Sequence, residues 1–246
     1  MQNPLDGVRS LTISPVSRVT GSVTPPGSKS ITNRAFVCAA LSDGVTTLTG
    51  VLDSEDTRLM AGCLERLGFD VQIDWAACRA VVNGQRGAIP AEKATLDVGN
   101  SGTTARFISA MLALGQGVYT VDGVARMRER PIQDLLDALA QLGADARSVA
   151  GTGCPPVEIR ATGIRGGEVA IRGDVSSQFL SGLVLAAPYA RSPVRVSVVG
   201  KLVSVPYVTM TLAVMESFGA RPRIEWTLDA ETQTDQIRAI VVPPAV

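Results

Sequence analysis

Leu59-Met-Ala-Gly-Cys-Leu-Glu-Arg-Leu-Gly68 reads as a short amphipathic helix carrying its own stop signal. Its apolar residues recur close to i, i+3, i+4 and i+7, the spacing of one helix face. The glycine supplies the left-handed residue with which helices commonly end. The same pattern returns as Leu135-Leu-Asp-Ala-Leu-Ala-Gln-Leu-Gly143 and as Met210-Thr-Leu-Ala-Val-Met-Glu-Ser-Phe-Gly219. The three closing glycines lie 75 and 76 residues apart. A fixed step of that size marks an internally repeated fold.

Other landmarks keep the step. Gly27, Gly99 and Gly173 each follow a short strand-like run and precede a helical pattern, 72 and 74 residues apart. Gly44-Val-Thr-Thr-Leu-Thr-Gly50 recurs as Gly117-Val-Tyr-Thr-Val-Asp-Gly123, and a related strand at 193–200 fills the third slot. Each unit therefore reads strand, helix, strand, helix, strand pair. The closing pairs are expected at 71–74 with 79–82, near 146–149 with 157–161, and at 223–228 with 236–242. Asn83-Gly84 and Pro155-Pro156 punctuate as turns. The repeats, at about 19–84, 93–161 and 167–242, predict one domain spanning 1–246. The helical stretch 177–187 is apolar all round, so it must be buried. That predicts an α/β fold with helices inside and sheets outside.

Composition narrows the chemistry. The 246 residues are 46% hydrophobic and 19% charged, with zero formal net charge. This is ordinary for a globular protein and carries no nucleic-acid footprint. The longest apolar runs are too short to span a bilayer. The N-terminus lacks a signal-peptide pattern, so a cytoplasmic setting is expected. There is no histidine, which excludes Ser-His-Asp and Cys-His catalysis. Four cysteines, none in a C-x-x-C pair, make a zinc site improbable. Twenty arginines stand against only Lys29, Lys93 and Lys201. Lys29 and Lys201 both fall beside candidate site residues.

Those candidates are the helix starts. The first helices open with Pro26-Gly-Ser-Lys-Ser-Ile-Thr-Asn-Arg34, Gly99-Asn-Ser-Gly-Thr-Thr-Ala-Arg106 and Gly173-Asp-Val-Ser-Ser-Gln178. A helix start exposes unpaired N–H groups and the positive dipole end, and so attracts anions. Ser and Thr also cap helices everywhere, but three such starts in register favour a shared cleft. The second helices start at Asp53-Ser-Glu-Asp-Thr-Arg58, Arg126-Met-Arg-Glu-Arg-Pro131 and Lys201-Leu-Val-Ser-Val-Pro-Tyr207. The acidic turn reads as dipole complementation. The three arginines read as a phosphate or carboxylate clamp, or else as a solvated strip. Pro131 and Pro206 suit a first helical position. No P-loop or Rossmann motif is present.

In order along the chain, Pro26-Gly-Ser-Lys-Ser-x-x-Asn-Arg34, Leu52-Asp-Ser-x-Asp-Thr57, Gly99-Asn-Ser-Gly-Thr-Thr104, Arg126-Met-x-Glu-Arg-Pro131, Ser176-Ser-Gln178 and Leu202-Val-Ser-x-Pro-Tyr207 resemble the motif set of the 5-enolpyruvylshikimate-3-phosphate synthases. The resemblance implies an inside-out α/β prism built from three repeated βαβαββ units. It implies transfer of the enolpyruvyl group of phosphoenolpyruvate to the 5-hydroxyl of shikimate-3-phosphate, with no metal or organic cofactor. By motif, Ser30, Arg34, Ser176, Ser177, Gln178, Ser204 and Tyr207 would hold shikimate-3-phosphate. Lys29, Gly102, Arg130 and Gln178 would contact phosphoenolpyruvate, Lys29 as the catalytic lysine. Gly102 matches the small residue linked to glyphosate binding, and Phe107 replaces a proline common in the family. Family chains are about twice this length, and their acid and base groups belong to a second domain that this sequence does not match. The C-terminal half of the enzyme is therefore the expected partner, alongside the two anionic substrates and without nucleic acid or membrane. Segment 11–18, whose family counterpart starts in the other domain, should be poorly anchored. The alternative is a non-catalytic anion-binding module using the same residues. The lysine motif and reactive-cysteine loop of the related UDP-N-acetylglucosamine enolpyruvyl transferase are not matched. On sequence alone, Arg34→Ala is expected to weaken shikimate-3-phosphate binding over tenfold with the fold unchanged.

Overall fold

The computed structural model describes residues 10–228 and 234–245. The first unit holds α1 (Lys29–Leu41), β1 (Asp43–Thr49), α2 (Glu55–Arg66), β2 (Asp70–Asp74) and β3 (Arg79–Gln85). The second holds β4 (Lys93–Asp97), α3 (Gly102–Leu112), β5 (Gln116–Asp122), α4 (Gln133–Gln141), β6 (Asp145–Ser148) and β7 (Val157–Thr162). The third holds β8 (Gly167–Arg172), α5 (Ser177–Ala186), β9 (Val194–Val199), α6 (Val205–Ser217), β10 (Arg223–Leu228) and β11 (Asp235–Val242).

Each unit builds its own sheet, and the sheets share one topology. The orders are β4-β5-β7-β6 and β8-β9-β11-β10, with the first pair parallel and the others antiparallel. The first sheet, β1-β3-β2, repeats this order with its first slot empty. The opening strand expected from about 19 is therefore a correction: residues 10–28 carry no regular element. Val19 and Val23 are 85% and 89% exposed. The physical reason lies in composition. β4 and β8 each bury two apolar side chains, Ala94 with Leu96 and Val169 with Ile171. The matching stretch ends in Pro25-Pro26 and so lacks two ladder donors, while Gly21 offers nothing to pack.

The first helix of every unit lies inside. α1, α3 and α5 pack on one another, and α6 packs on both α1 and α5. Nearly every residue of α3 and α5 is buried, which is why neither needs a polar face. α2 and α4 keep exposed polar faces, and each packs against its own sheet and the first strand of the next, α2 on β2 and β4 and α4 on β6 and β8. Helices inside and three sheets outside form the inside-out prism. Among the described residues no helix is long and apolar enough to cross a membrane.

The repeated stop signals work as their glycines suggest. Gly68, Gly143 and Gly219 hold φ of 87°, 91° and 88°. In each, the glycine N–H and the next residue's N–H turn back to the last helical turn: Gly68 to Glu65 and Phe69 to Leu64, Gly143 to Ala140 and Ala144 to Leu139, Gly219 to Glu216 and Ala220 to Met215. These are three identical double caps on carbonyls that would otherwise be orphaned. A Cβ on Gly219 would meet nothing within 4 Å, so its backbone conformation is isolated from packing. Gly219→Ala should cost about 1–2 kcal/mol. Urea denaturation should show a lower midpoint at unchanged slope, and an unchanged midpoint would contradict the cap.

One turn reading and one proline placement need correction. Asn83-Gly84 lies inside β3, paired with β1. A Cβ on Gly84 would stand 2.3 Å from the Ser42 carbonyl and 2.6 Å from that of Ala39. The glycine is there because the end of α1 presses on the strand. Pro131 precedes α4 by two residues and Pro206 is the second residue of α6, so neither takes the first helical position.

Candidate functional site

A chain of side-chain contacts joins the helix starts. Lys29, first in α1, reaches Asp56 in the first turn of α2, with Nζ 3.2 Å from Oδ2. The Ser101 hydroxyl, at the start of α3, donates to Asp56 Oδ1 at 2.7 Å. Gln178 in the first turn of α5 donates to Thr103 Oγ1 at 3.2 Å. Arg34 donates to the Tyr207 carbonyl in the first turn of α6 at 3.1 Å. Arg130, just before α4, donates to the Asn100 carbonyl at 2.9 Å. All six helices therefore begin at one end of the prism. Their unpaired N–H groups and aligned dipoles make that end electropositive without any excess of cationic side chains.

Two guanidinium groups lie under this face. Arg34 is 2% exposed and Arg106 4%. Arg34 donates to Thr211 Oγ1 (2.7 Å), the Ser30 carbonyl (2.8 Å), Ser181 Oγ (3.4 Å) and the Tyr207 carbonyl. Its charge also lies over the Phe107 ring, 5.1 Å from the centroid. Arg106 donates to the Gly102 carbonyl (3.3 Å) and the Pro131 carbonyl (2.5 Å) and faces the Phe179 ring. None of these partners is a carboxylate. Burial pushes Arg34 down to about 10. Burial, and then the nearby charge of Arg130, does the same to Arg106. Buried charges are normally paired, so two uncompensated cations beneath an electropositive face fit an external anion.

The second turn of this surface is built around a missing side chain. Gly102 opens α3, and a Cβ there would stand 2.3 Å from Arg130 Nη2. Arg130 thus lies flat on the helix start because Gly102 has no side chain. Arg106 holds the turn behind it through Pro131. The obstructing atom is the end of a flexible side chain, so Gly102→Ala should leave thermal stability unchanged or slightly raised, given alanine's helix preference. It should move Arg130 off its seat and weaken anion binding there about tenfold or more, the cost of displacing one charge-assisted contact. Phosphate or phosphoenolpyruvate titrations of both proteins check this; equal affinities would refute it.

The other expected residues divide. Ser176 caps α5 by accepting from the Gln178 N–H at 3.2 Å, and Ser177 is buried beside it. Ser28, Ser54 and Ser101 likewise cap their own helices, so ordinary capping accounts for those hydroxyls. Ser204 differs. It stands at the start of α6 in a left-handed backbone, φ 57°, and its side chain caps nothing. Such strain at a non-glycine costs about 1–3 kcal/mol and clusters at ligand sites. Tyr207 is 47% exposed beside it, and Ser30 sits half-buried one turn before Arg34. The three-arginine clamp is reduced to one. Arg126 pairs with Glu129 at 2.5 Å, and Arg128 grips Asp122 bidentately at 2.6 and 3.0 Å, holding that carboxyl below its usual range. Only Arg130 faces the helix starts. Sequence reasoning missed Thr103, Ser181 and Thr211, because their partners lie 75, 147 and 177 residues away.

The fold and this end of it define a prism of the enolpyruvyl transferase kind. Two solved EPSP synthase structures from Acinetobacter baumannii share the fold at a TM-score of 0.74 and 23% identity, over 92% of this chain and 47% and 48% of theirs. The sequence pattern of EPSP synthase (3-phosphoshikimate 1-carboxyvinyltransferase) matches residues 13–243, and the chain belongs to that family. It is 47% identical over 213 residues to the 3-phosphoshikimate 1-carboxyvinyltransferase of Shewanella denitrificans, covering 86% of this chain and 50% of that one. It is 45% identical over 227 residues to that of Shewanella piezotolerans, covering 92% and 53%. The chain spans about half the length of the curated relatives it matches.

Proposed function

We propose that this chain is the N-terminal, shikimate-3-phosphate-binding half of a 5-enolpyruvylshikimate-3-phosphate synthase. The gathering of six helix starts at one end of the prism, with Arg34 buried beneath it and tied to α1, α5 and α6, carries the reading. Its 246 residues act as one domain of three repeats, and the C-terminal half of the same enzyme is its partner. Shikimate-3-phosphate lies across Ser30, Arg34, Ser176, Ser177, Gln178, Ser204 and Tyr207, which supply hydroxyls and one buried cation. Phosphoenolpyruvate lies against Lys29, Arg130 and the backbone at Gly102, with Gln178 between the two substrates. The reaction joins the 5-hydroxyl oxygen of shikimate-3-phosphate to C2 of phosphoenolpyruvate and releases inorganic phosphate. Two polyanions repel until fixed cations and N–H groups neutralise them, and holding them together supplies much of the rate. Lys29 contributes charge at the reacting group. The proton transfers belong to the partner half. Four free cysteines suit a reducing, cytoplasmic setting.

Calorimetric titration tests this. Shikimate-3-phosphate should bind at one site, and shikimate without its phosphate at least tenfold more weakly. Equal affinities, or no binding of either, would remove the assignment.

A further inference from the structure

Asp56 places a negative charge in the middle of a surface built for anions. Its sequence reading, an acid offsetting the dipole of its own helix, accounts for its type but not for its contacts. Both carboxylate oxygens are committed across helices: Oδ2 to Lys29 Nζ at 3.2 Å and Oδ1 to the Ser101 hydroxyl at 2.7 Å. Its backbone carbonyl accepts from Thr104 Oγ1 at 3.3 Å. Ser101 in turn caps α3 at the Thr104 N–H, 3.3 Å away, one residue from Gly102 and its seat for Arg130. One carboxylate thus fixes α1 and α3 against α2 at their first turns. The Asp56 side chain is 25% exposed and that of Lys29 48%, so the acid is the more buried and better anchored partner.

From this we infer that Asp56 is a positioning residue: it holds the Lys29 ammonium, and the first turn of α3, where phosphoenolpyruvate is taken. The inference rests on the function proposed above, and it deepens it. Two roles for Asp56 predict opposite signs. A bystander acid repels an incoming anion, so removing its charge strengthens anion binding. A positioning acid stops Lys29 from wandering on its flexible stem, and its removal weakens binding although the site becomes more positive. In the second case the acid's repulsion is outweighed because the lysine charge is fixed at the contact distance.

Asp56→Asn is the informative variant. It is isosteric and its amide oxygen still accepts from Ser101, so the α3 register stays while the charge on Lys29's partner goes. The chain has only three lysines, which gives a readout needing no ligand. Acetic anhydride labels neutral amines, and peptide mass spectrometry follows Lys29 against Lys93 and Lys201 as internal references. Asp56→Asn should speed labelling of Lys29 alone by about twofold to fivefold, the range of a part-exposed ion pair. Dissociation constants for phosphoenolpyruvate, measured by NMR at millimolar ligand with shikimate-3-phosphate present, should rise by a similar factor. In a Lys29→Ala background the same substitution should have no such effect. Unchanged Lys29 labelling, a rise shared by all three lysines, or tighter phosphoenolpyruvate binding would each overturn the inference. If Lys29 alone labels faster but the parent chain binds no phosphoenolpyruvate, the positioning stands and the proposed function falls.

Discussion

Arg34→Met should keep the fold within about 1 kcal/mol of the parent and lose shikimate-3-phosphate, whereas Arg34→Ala should lose the ligand and about 2–4 kcal/mol of stability as well. The sequence alone suggested a fold indifferent to Arg34→Ala; its burial and its ties to α5 and α6 say otherwise. Truncation to alanine leaves a cavity between three helices, which costs about 2–4 kcal/mol. Methionine fills that space. No partner is stranded when the guanidinium goes: Thr211 Oγ1 still donates to Ser181 Oγ at 2.9 Å or to the Tyr207 carbonyl at 2.8 Å. Methionine also removes a desolvation penalty. Arg34 is pushed down to about 10 from an ordinary 12.5. For a base, that shift means the charged form is less stable folded than unfolded. The penalty is present in full below about pH 10 and fades only as pH rises from there toward 12.5. At neutral pH it is roughly 3 kcal/mol, which the hydrogen bonds of Arg34 offset. Replacing buried ionic groups with apolar ones of similar volume is accordingly often neutral. Binding has no such compensation. Losing one partner of a desolvated charge pair costs about 2–5 kcal/mol, or roughly thirtyfold and upward in affinity. Denaturation midpoints and titrations on the same two variants check both halves of this expectation.

The second large effect is catalytic silence. The purified 246-residue chain should bind shikimate-3-phosphate but release no measurable phosphate from the two substrates. The helix-start face stands open to water. Charge interactions weaken steeply at high dielectric, so phosphoenolpyruvate binds the open face only weakly, and what binding there is depends on Lys29 and Arg130. Positioned proton transfer typically contributes about 10²–10⁴-fold, and no residue of this chain is assigned that role. Adding the C-terminal half of a family member as a separate polypeptide should restore some turnover, by closing the face and supplying those groups. Robust phosphate release by the chain alone would mean that the catalytic groups are misplaced in this account. Failure of any second half to restore it would favour a non-catalytic anion-binding module.

What was legible in the sequence was what is local. Gly68, Gly143 and Gly219 mark helix ends because a left-handed cap is decided by one residue and its neighbours. The Gly44 to Gly50 and Gly117 to Gly123 runs mark β1 and β5 because alternation shows within seven residues. The helix starts were legible as a class for the same reason. What escaped depends on contacts across the chain. Gly84 reads as a turn in sequence, but the end of α1 presses on it within β3. Asp56 looked like a dipole partner until Lys29 and Ser101 were brought to it. Two of the three arginines near 128 looked like a clamp, yet Asp122 and Glu129 hold them. The missing first strand shows the converse limit, since a period counted from glycines says nothing about whether Pro25-Pro26 can join a ladder.

The most direct test of the central claim is a calorimetric titration of shikimate-3-phosphate into the purified chain, with shikimate and the Arg34→Met protein as the two comparisons. The account predicts one saturable site, affinity at least tenfold lower for shikimate, and loss of binding in a variant that is still folded. Equal affinity for shikimate and its phosphate, or undiminished binding by Arg34→Met, would contradict it.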